Sequence, residues 1–185
     1  NEALRWLTQA AESGNVTAMQ HLSSLYRGEL QALPANQRDP AQAYFWTARA
    51  YEADPTRVSS IMELARALVT GDGTIADPAR AFALFNEAMR YGSRSALHEM
   101  ATALLTGSGV GRDQLRAMQV FRQAAARGDL NSYRTLSDIY RCGIGVDANS
   151  QMADLWLERA AALGETESLI ILSNRSINEL TPEQE

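Results

Sequence analysis

The sequence predicts an all-α fold, an α-solenoid of about five helix-turn-helix repeats. Three observations lead to it: small residues recur about every 36 positions, apolar residues follow a helical period, and helix caps recur at equivalent places. The recurrence is plain in three series: Ala81, Ala117 and Ala153; Gly92, Gly128 and Gly164; and Gly73, Gly109 and Gly145. A period of this length is typical of solenoids, whose stacked units present a surface to another molecule.

The first helix of each unit is predicted from apolar residues spaced i, i+3, i+4 and i+7. In the fourth unit these residues are Ala117, Val120, Phe121 and Ala124, and Gly128 supplies a left-handed residue that ends the helix. The equivalent sets are Ala3, Trp6, Leu7 and Ala10; Ala43, Trp46, Thr47 and Ala50; Ala81, Leu84, Phe85 and Ala88; and Ala153, Trp156, Leu157 and Ala160. We expect these residues to pack in the core.

The second helices are expected to share one large apolar position and one small position. The large residues are Leu22, Leu64, Met100, Leu136 and Leu172, and the small ones, four residues earlier on the last four helices, are Ser60, Ala96, Ser132 and Ser168. Only small side chains let neighbouring helices approach closely, so a bulky residue at such a position should overpack.

Helix starts are marked by capping residues. An acidic N-cap precedes proline in Asp39-Pro40 and Asp77-Pro78, and Asp113 and Asn149 occupy the same place without the proline. These signals divide the chain into units of about 1–38, 39–76, 77–112, 113–148 and 149–172, followed by a tail or cap at 173–185.

Two places break the period. Extra residues lie between Gly28 and Asp39, and Ala53-Asp54-Pro55 replaces the usual glycine turn. Insertions in solenoids often lie on a binding face, although drift in a tolerant loop explains them equally well.

Composition and motifs argue against several functions. The formal charge is −5, whereas nucleic-acid binders usually carry a basic face, and no stretch has the length of a membrane span. The glycines at 107–111 resemble a phosphate-binding loop, but such a loop requires a lysine and the chain has none. His21 and His98 lack a partner at metal-ligand spacing, and Cys142 is the only cysteine. We therefore predict no catalytic residues, no metal site and no cofactor.

The repeat resembles a known family. Ala3, Trp6, Leu7, Ala10, Ala11 and Gly14, together with the corner Tyr140-x-x-Gly143-x-Gly145-Val146, are similar to the Sel1-like repeat, a bacterial relative of the tetratricopeptide repeat. The resemblance implies a right-handed superhelix and a non-enzymatic adaptor in secretion, envelope assembly or exopolysaccharide export. It favours the periplasm over the cytoplasm. One branch of that family is cysteine-rich, from which this chain departs.

The candidate binding residues lie on the first helices, which by the same resemblance line the concave groove. Phe45 projects about 200° from the predicted core face by helical periodicity, so we expect it to be exposed. The candidates are Arg5, Gln9, Phe45, Arg49, Glu87, Gln119, Arg122 and Gln123. Aromatic and arginine residues commonly anchor protein interfaces, although a merely solvated groove is an equal alternative.

Two other functions stay open at this point. The chain could be a structural spacer or self-associating module of a larger envelope protein, and the apolar run at 169–172 could support a homodimer unless the tail covers it. An enzyme acting on cell-wall or carbohydrate material is less favoured.

Overall fold

The computed structural model describes residues 2–30 and 37–180, with side chains up to Asn174. Residues 31–36 of the predicted insertion between Gly28 and Asp39 lie outside the described residues, as does the end of the tail at 181–185. Ten helices make up the described structure, and the all-α solenoid is confirmed. They are α1 (Glu2–Glu12), α2 (Val16–Arg27), α3 (Pro40–Ala53), α4 (Val58–Thr70), α5 (Pro78–Arg90), α6 (Arg94–Thr106), α7 (Gln114–Ala126), α8 (Leu130–Cys142), α9 (Ser150–Ala162) and α10 (Thr166–Leu180).

The predicted caps begin the first helices. The side chains of Asp39, Asp77, Asp113 and Asn149 each accept a hydrogen bond from a backbone N–H in the first turn of the helix that follows. Their own backbone N–H groups reach back to the preceding second helix, as when Asp113 donates to the carbonyl of Leu104 at 2.8 Å. The same bond recurs at Tyr26, Leu68 and Tyr140, so each of these first helices is joined to the preceding second helix in the same way.

Glycine is required at the second position of the corner for two reasons. Gly73 and Gly109 have φ of 72°, in the left-handed region that only glycine adopts easily. A Cβ on either residue would also overlap the carbonyl of the proline that starts the first helix of its own unit, Pro40 or Pro78. The glycine-rich segments are therefore structural corners.

The core runs from unit to unit, since the most extensive helix contacts join each second helix to the first helix of the next unit. Leu22, Leu64 and Leu136 are fully buried, and Met100 is nearly so. The predicted small positions, Ser60, Ala96, Ser132 and Ser168, have no exposed surface.

The first unit departs from the predicted core. Trp6 is 58% exposed and Ala3 is exposed as well, so their assignment to the core was wrong. The helical pattern of α1 is right, but the outer side of α1 has no helix of the described residues packed on it. Trp46 occupies the equivalent position inside the array, where α2 covers it, and is 6% exposed.

Candidate functional site

The exposed face of the first helices carries the candidate residues. The row that contains Phe45 continues through Arg5, Ala83, Gln119 and Leu155, and every member is exposed. Phe45 and Leu155 are the large apolar members, at 46% and 37% exposure. Exposed aromatic surface is a feature of protein-binding faces.

Phe45 and Arg49 form one group on the α3 part of this face. The Arg49 guanidinium carbon lies 5.8 Å from the centre of the Phe45 ring and 5.9 Å from that of Trp46. The two rings meet edge to face, with centres 5.1 Å apart. Such cation–π contacts contribute about 0.5–1 kcal/mol at exposed sites, so they favour this position of the arginine before any partner arrives.

The same arrangement recurs at the far end of the array. Arg159 lies 5.0 Å from the centre of the Trp156 ring, and both residues are the repeat equivalents of Arg49 and Trp46. Arg159 was not among the predicted site residues. The signal that could have found it is the i, i+3 spacing of tryptophan and arginine in both helices.

Glu87 is more enclosed than its neighbours. Its carboxylate accepts a hydrogen bond from the hydroxyl of Tyr51 at 3.1 Å, which links α3 to α5. Burial and this carboxylate together raise the pKa of Tyr51. The bond therefore fixes the spacing of two first helices as well as placing a negative charge on the face.

The remaining candidates lie on the two sides of the group formed by Phe45 and Arg49. Arg122 on α7 donates to the hydroxyl of Tyr140, which is buried, while Gln119 and Gln123 are exposed beside it. Arg5 and Gln9 on α1 border a depression of about 630 Å³. The structure thus joins Phe45 to Arg49 directly, whereas the other candidates make no hydrogen bond, ion pair or ring contact with one another in the described residues.

One polar cluster joins residues that are distant in sequence. His98 Nδ1 lies 3.1 Å from the Ser132 hydroxyl and 3.4 Å from Asp129 Oδ2. A catalytic triad has a similar composition, but there the serine hydroxyl gives its proton to histidine. Here Ser132 is fully buried, and its hydroxyl donates at 2.6 Å to the carboxylate of Asp129, which is the N-cap residue of α8. The cluster is a helix cap that braces two repeats.

A second pair in the array makes the same contact between second helices. Gln20 donates to the hydroxyl of Ser60 at 3.2 Å, and these two residues hold the repeat positions of His98 and Ser132. The two second-helix pairs therefore have the same register.

None of the described helices is long and apolar enough to span a bilayer.

Comparison with known proteins agrees with this architecture. The Sel1 repeat matches residues 1–15, 18–55, 58–90, 94–129 and 133–165. A protective antigen present in uropathogenic Escherichia coli strains, which displays an SLR fold, superimposes with a TM-score of 0.74 at 27% identity, over 93% of this chain and 36% of that one. A Sel1 repeat protein from Oxalobacter formigenes superimposes with a TM-score of 0.77 at 24% identity, over 92% of this chain and 66% of that one.

A Sel1 repeat protein from Klebsiella pneumoniae subsp. pneumoniae gives a TM-score of 0.59 at 24% identity, over 94% of this chain and 84% of that one. The chain thus spans about a third of the E. coli protein and about two thirds of the O. formigenes protein. The search of curated proteins gives no match. Proteins of this repeat are generally non-enzymatic scaffolds for protein interactions. The matched repeats cover most of the sequence, and the chain belongs to the Sel1 repeat family.

Proposed function

We propose that this chain is a scaffold that binds a protein or peptide partner through the exposed face of its first helices. The observation that carries the proposal is the group of Phe45, Trp46 and Arg49, in which an exposed aromatic ring and a pre-positioned guanidinium share one surface. Pre-positioned side chains lose less conformational entropy on binding, so they contribute more to affinity.

The chemistry of the face favours a partner with apolar and acidic side chains. Phe45 and Leu155 offer apolar surface, and Arg49, Arg122 and Arg159 offer planar donors that match carboxylates. We further propose, from the family resemblance, that this scaffold serves bacterial envelope assembly or exopolysaccharide secretion in the periplasm.

The experiment has two steps. Affinity purification of the tagged chain from its native organism identifies the protein that co-purifies, and calorimetry then measures its affinity for purified variants. Truncating Phe45 to alanine and reversing Arg49 and Arg122 to glutamate should weaken binding at least tenfold and leave the helical circular dichroism unchanged. A matched charge reversal on second helices, Arg94→Glu with Arg141→Glu, should leave the affinity as it was. Equal affinity for all variants would refute the site.

Self-association is a second candidate function, and one observation favours it. Leu169 and Ile170 on α10 are 49% and 53% exposed, and adjacent exposed apolar side chains are a feature of association surfaces. A dimer formed there should dissociate when both residues are changed to glutamate. Sedimentation velocity at increasing concentration tests this, and a monomer at every concentration would exclude it.

A further inference from the structure

A charged cavity lies between α2 and α4, away from the first-helix face. Its volume is about 220 Å³, and a single water needs only about 15 Å³. Arg27, Glu29, Glu63, Arg66 and Asp72 border it. The cavity combines two guanidiniums with three carboxylates, so which charges are already paired decides what it can bind.

Both arginines of the cavity are paired within the protein. Arg27 donates to Glu29 at 2.9 Å and lies 3.8 Å from Asp72. Arg66 donates to Glu99 on α6 at 3.2 Å. Each guanidinium therefore has at least one carboxylate of its own.

Glu63 is the carboxylate of the cavity that forms an ion pair with neither arginine. Its Oε2 is buried, and no group of the described residues donates a hydrogen bond to it. Burial raises the pKa of Glu63, and the attraction of Arg27 and Arg66 only partly offsets that effect. A carboxylate that is partly removed from water without a donor is destabilising, and a cation that reached it would relieve the cost.

The next repeat shows what such a carboxylate binds. Glu99 holds the same repeat position as Glu63, and its partner Arg66 comes from the preceding second helix. The residue of α2 equivalent to Arg66 is Ser24, which is too short to reach and carries no charge. The register of α2 on α4 matches that of α4 on α6, because Glu63, Ala67 and Thr70 border this cavity at the repeat positions at which Glu99, Ala103 and Thr106 border a cavity beside α4 and α6.

The cleft itself is a regular feature of the repeat, so its shape alone carries no function. A cavity of about 260 Å³ occupies the same place between α4 and α6. There Val69 and Thr102 replace Arg27 and Arg66, and Glu99 is already bound. What distinguishes the first cavity is the carboxylate without a donor.

We propose that this cavity binds the guanidinium of an arginine side chain from a partner protein, which supplies to Glu63 the cation that Arg66 supplies to Glu99. Arginine fits better than lysine because its planar donors match a carboxylate and because it is more weakly hydrated. A metal ion fits less well, since the three carboxylates around the cavity do not form a group that could hold one, and neither does any other set of ligand-type side chains in the described ranges. The inference rests on the proposed protein-binding function, because the arginine comes from a partner, but it concerns a separate surface.

The test is a titration of the isotope-labelled protein with Nα-acetyl-arginine amide, followed by NMR. The probe should shift the backbone amides around Glu63 and Thr70 on α4 in a saturable way. The neutral citrulline counterpart should produce no such shift. Glu63→Gln should weaken probe binding at least tenfold, whereas Glu52→Gln, which removes an exposed carboxylate from α3, should leave it unchanged.

A second variant replaces the probe by an internal arginine. Ser24→Arg places a guanidinium where the repeat places Arg66, so it should abolish probe binding and lower the pKa of Glu63. Circular dichroism checks that each variant folds. Absence of a saturable shift, equal shifts with citrulline, or full binding by Glu63→Gln would overturn the proposal. Because no partner protein is present in the titration, a negative result would overturn only the arginine cavity and not the first-helix site. Likewise, refutation of the first-helix site would not change the result expected from the titration.

Discussion

Replacing Gly109 by alanine tests the corner geometry that Gly73 and Gly109 share. Gly109 has φ of 72°, and a left-handed alanine costs roughly 1–2 kcal/mol. The added Cβ would also overlap the carbonyl of Pro78, so the corner must shift, and overpacking of this kind typically costs about 1–3 kcal/mol more. The expected total loss of stability is about 2–5 kcal/mol.

Gly92→Ala is the matched control. Gly92 has φ of 92°, also left-handed, but a Cβ there meets nothing within 4 Å. This variant should lose only the roughly 1–2 kcal/mol of the backbone conformation. For a chain of this size about 2–4 °C of Tm corresponds to each kcal/mol, so the two variants should differ by about 2–12 °C.

The assay is thermal and urea unfolding followed by far-ultraviolet circular dichroism, with all variants in one buffer. The reasoning predicts that Gly109→Ala is clearly less stable than Gly92→Ala. Equal losses in the two variants would refute the steric part of the argument. A loss in neither would refute the requirement for a left-handed glycine.

Three further predictions concern stability. Glu63→Gln should raise Tm at pH 7, because burial raises the pKa of Glu63 and the wild-type folded state therefore loses stability as pH rises from the unfolded to the folded pKa of this group. The gain in Tm over wild type should fade below about pH 4.3, the ordinary pKa of glutamate, and a gain independent of pH would contradict this prediction. Asp113→Ala should cost about 1 kcal/mol in urea unfolding, since its side chain accepts from the Arg116 N–H at 2.9 Å, and an unchanged midpoint would show that this cap is dispensable. Ala96→Leu should cost about 1–3 kcal/mol because Ala96 is fully buried between helices, whereas Ala83→Leu on the exposed face should be nearly neutral; equal effects would contradict the packing argument.

The features that the sequence predicts well are local ones. Asp77-Pro78 starts α5 because the acidic cap and the proline act within one turn of the chain. Gly143 ends α8 in the left-handed conformation for the same kind of reason. The exposure of Phe45 also follows from helical periodicity, because a position about 200° from a buried stripe faces solvent.

The features that escape sequence reasoning depend on which helix lies beside which. Trp6 has the same local pattern as Trp46, yet only the second is covered by another helix. The sequence does not show that the Glu63 carboxylate lacks a donor, because this depends on how neighbouring second helices pack. Arg66 of the preceding second helix reaches Glu99, whereas the equivalent residue before Glu63 is Ser24. The cap formed by Asp129, Ser132 and His98 likewise requires the position of α6 on α8.

The central claim is that a partner protein binds the exposed face of the first helices. Hydrogen–deuterium exchange of the chain with and without its co-purified partner tests this most directly, because protection reports where the complex excludes solvent. We expect new protection in the peptides of α3, α5 and α7 that contain Phe45, Glu87 and Arg122. Protection confined to the second helices α4, α6 and α8, with the first helices unchanged, would contradict it.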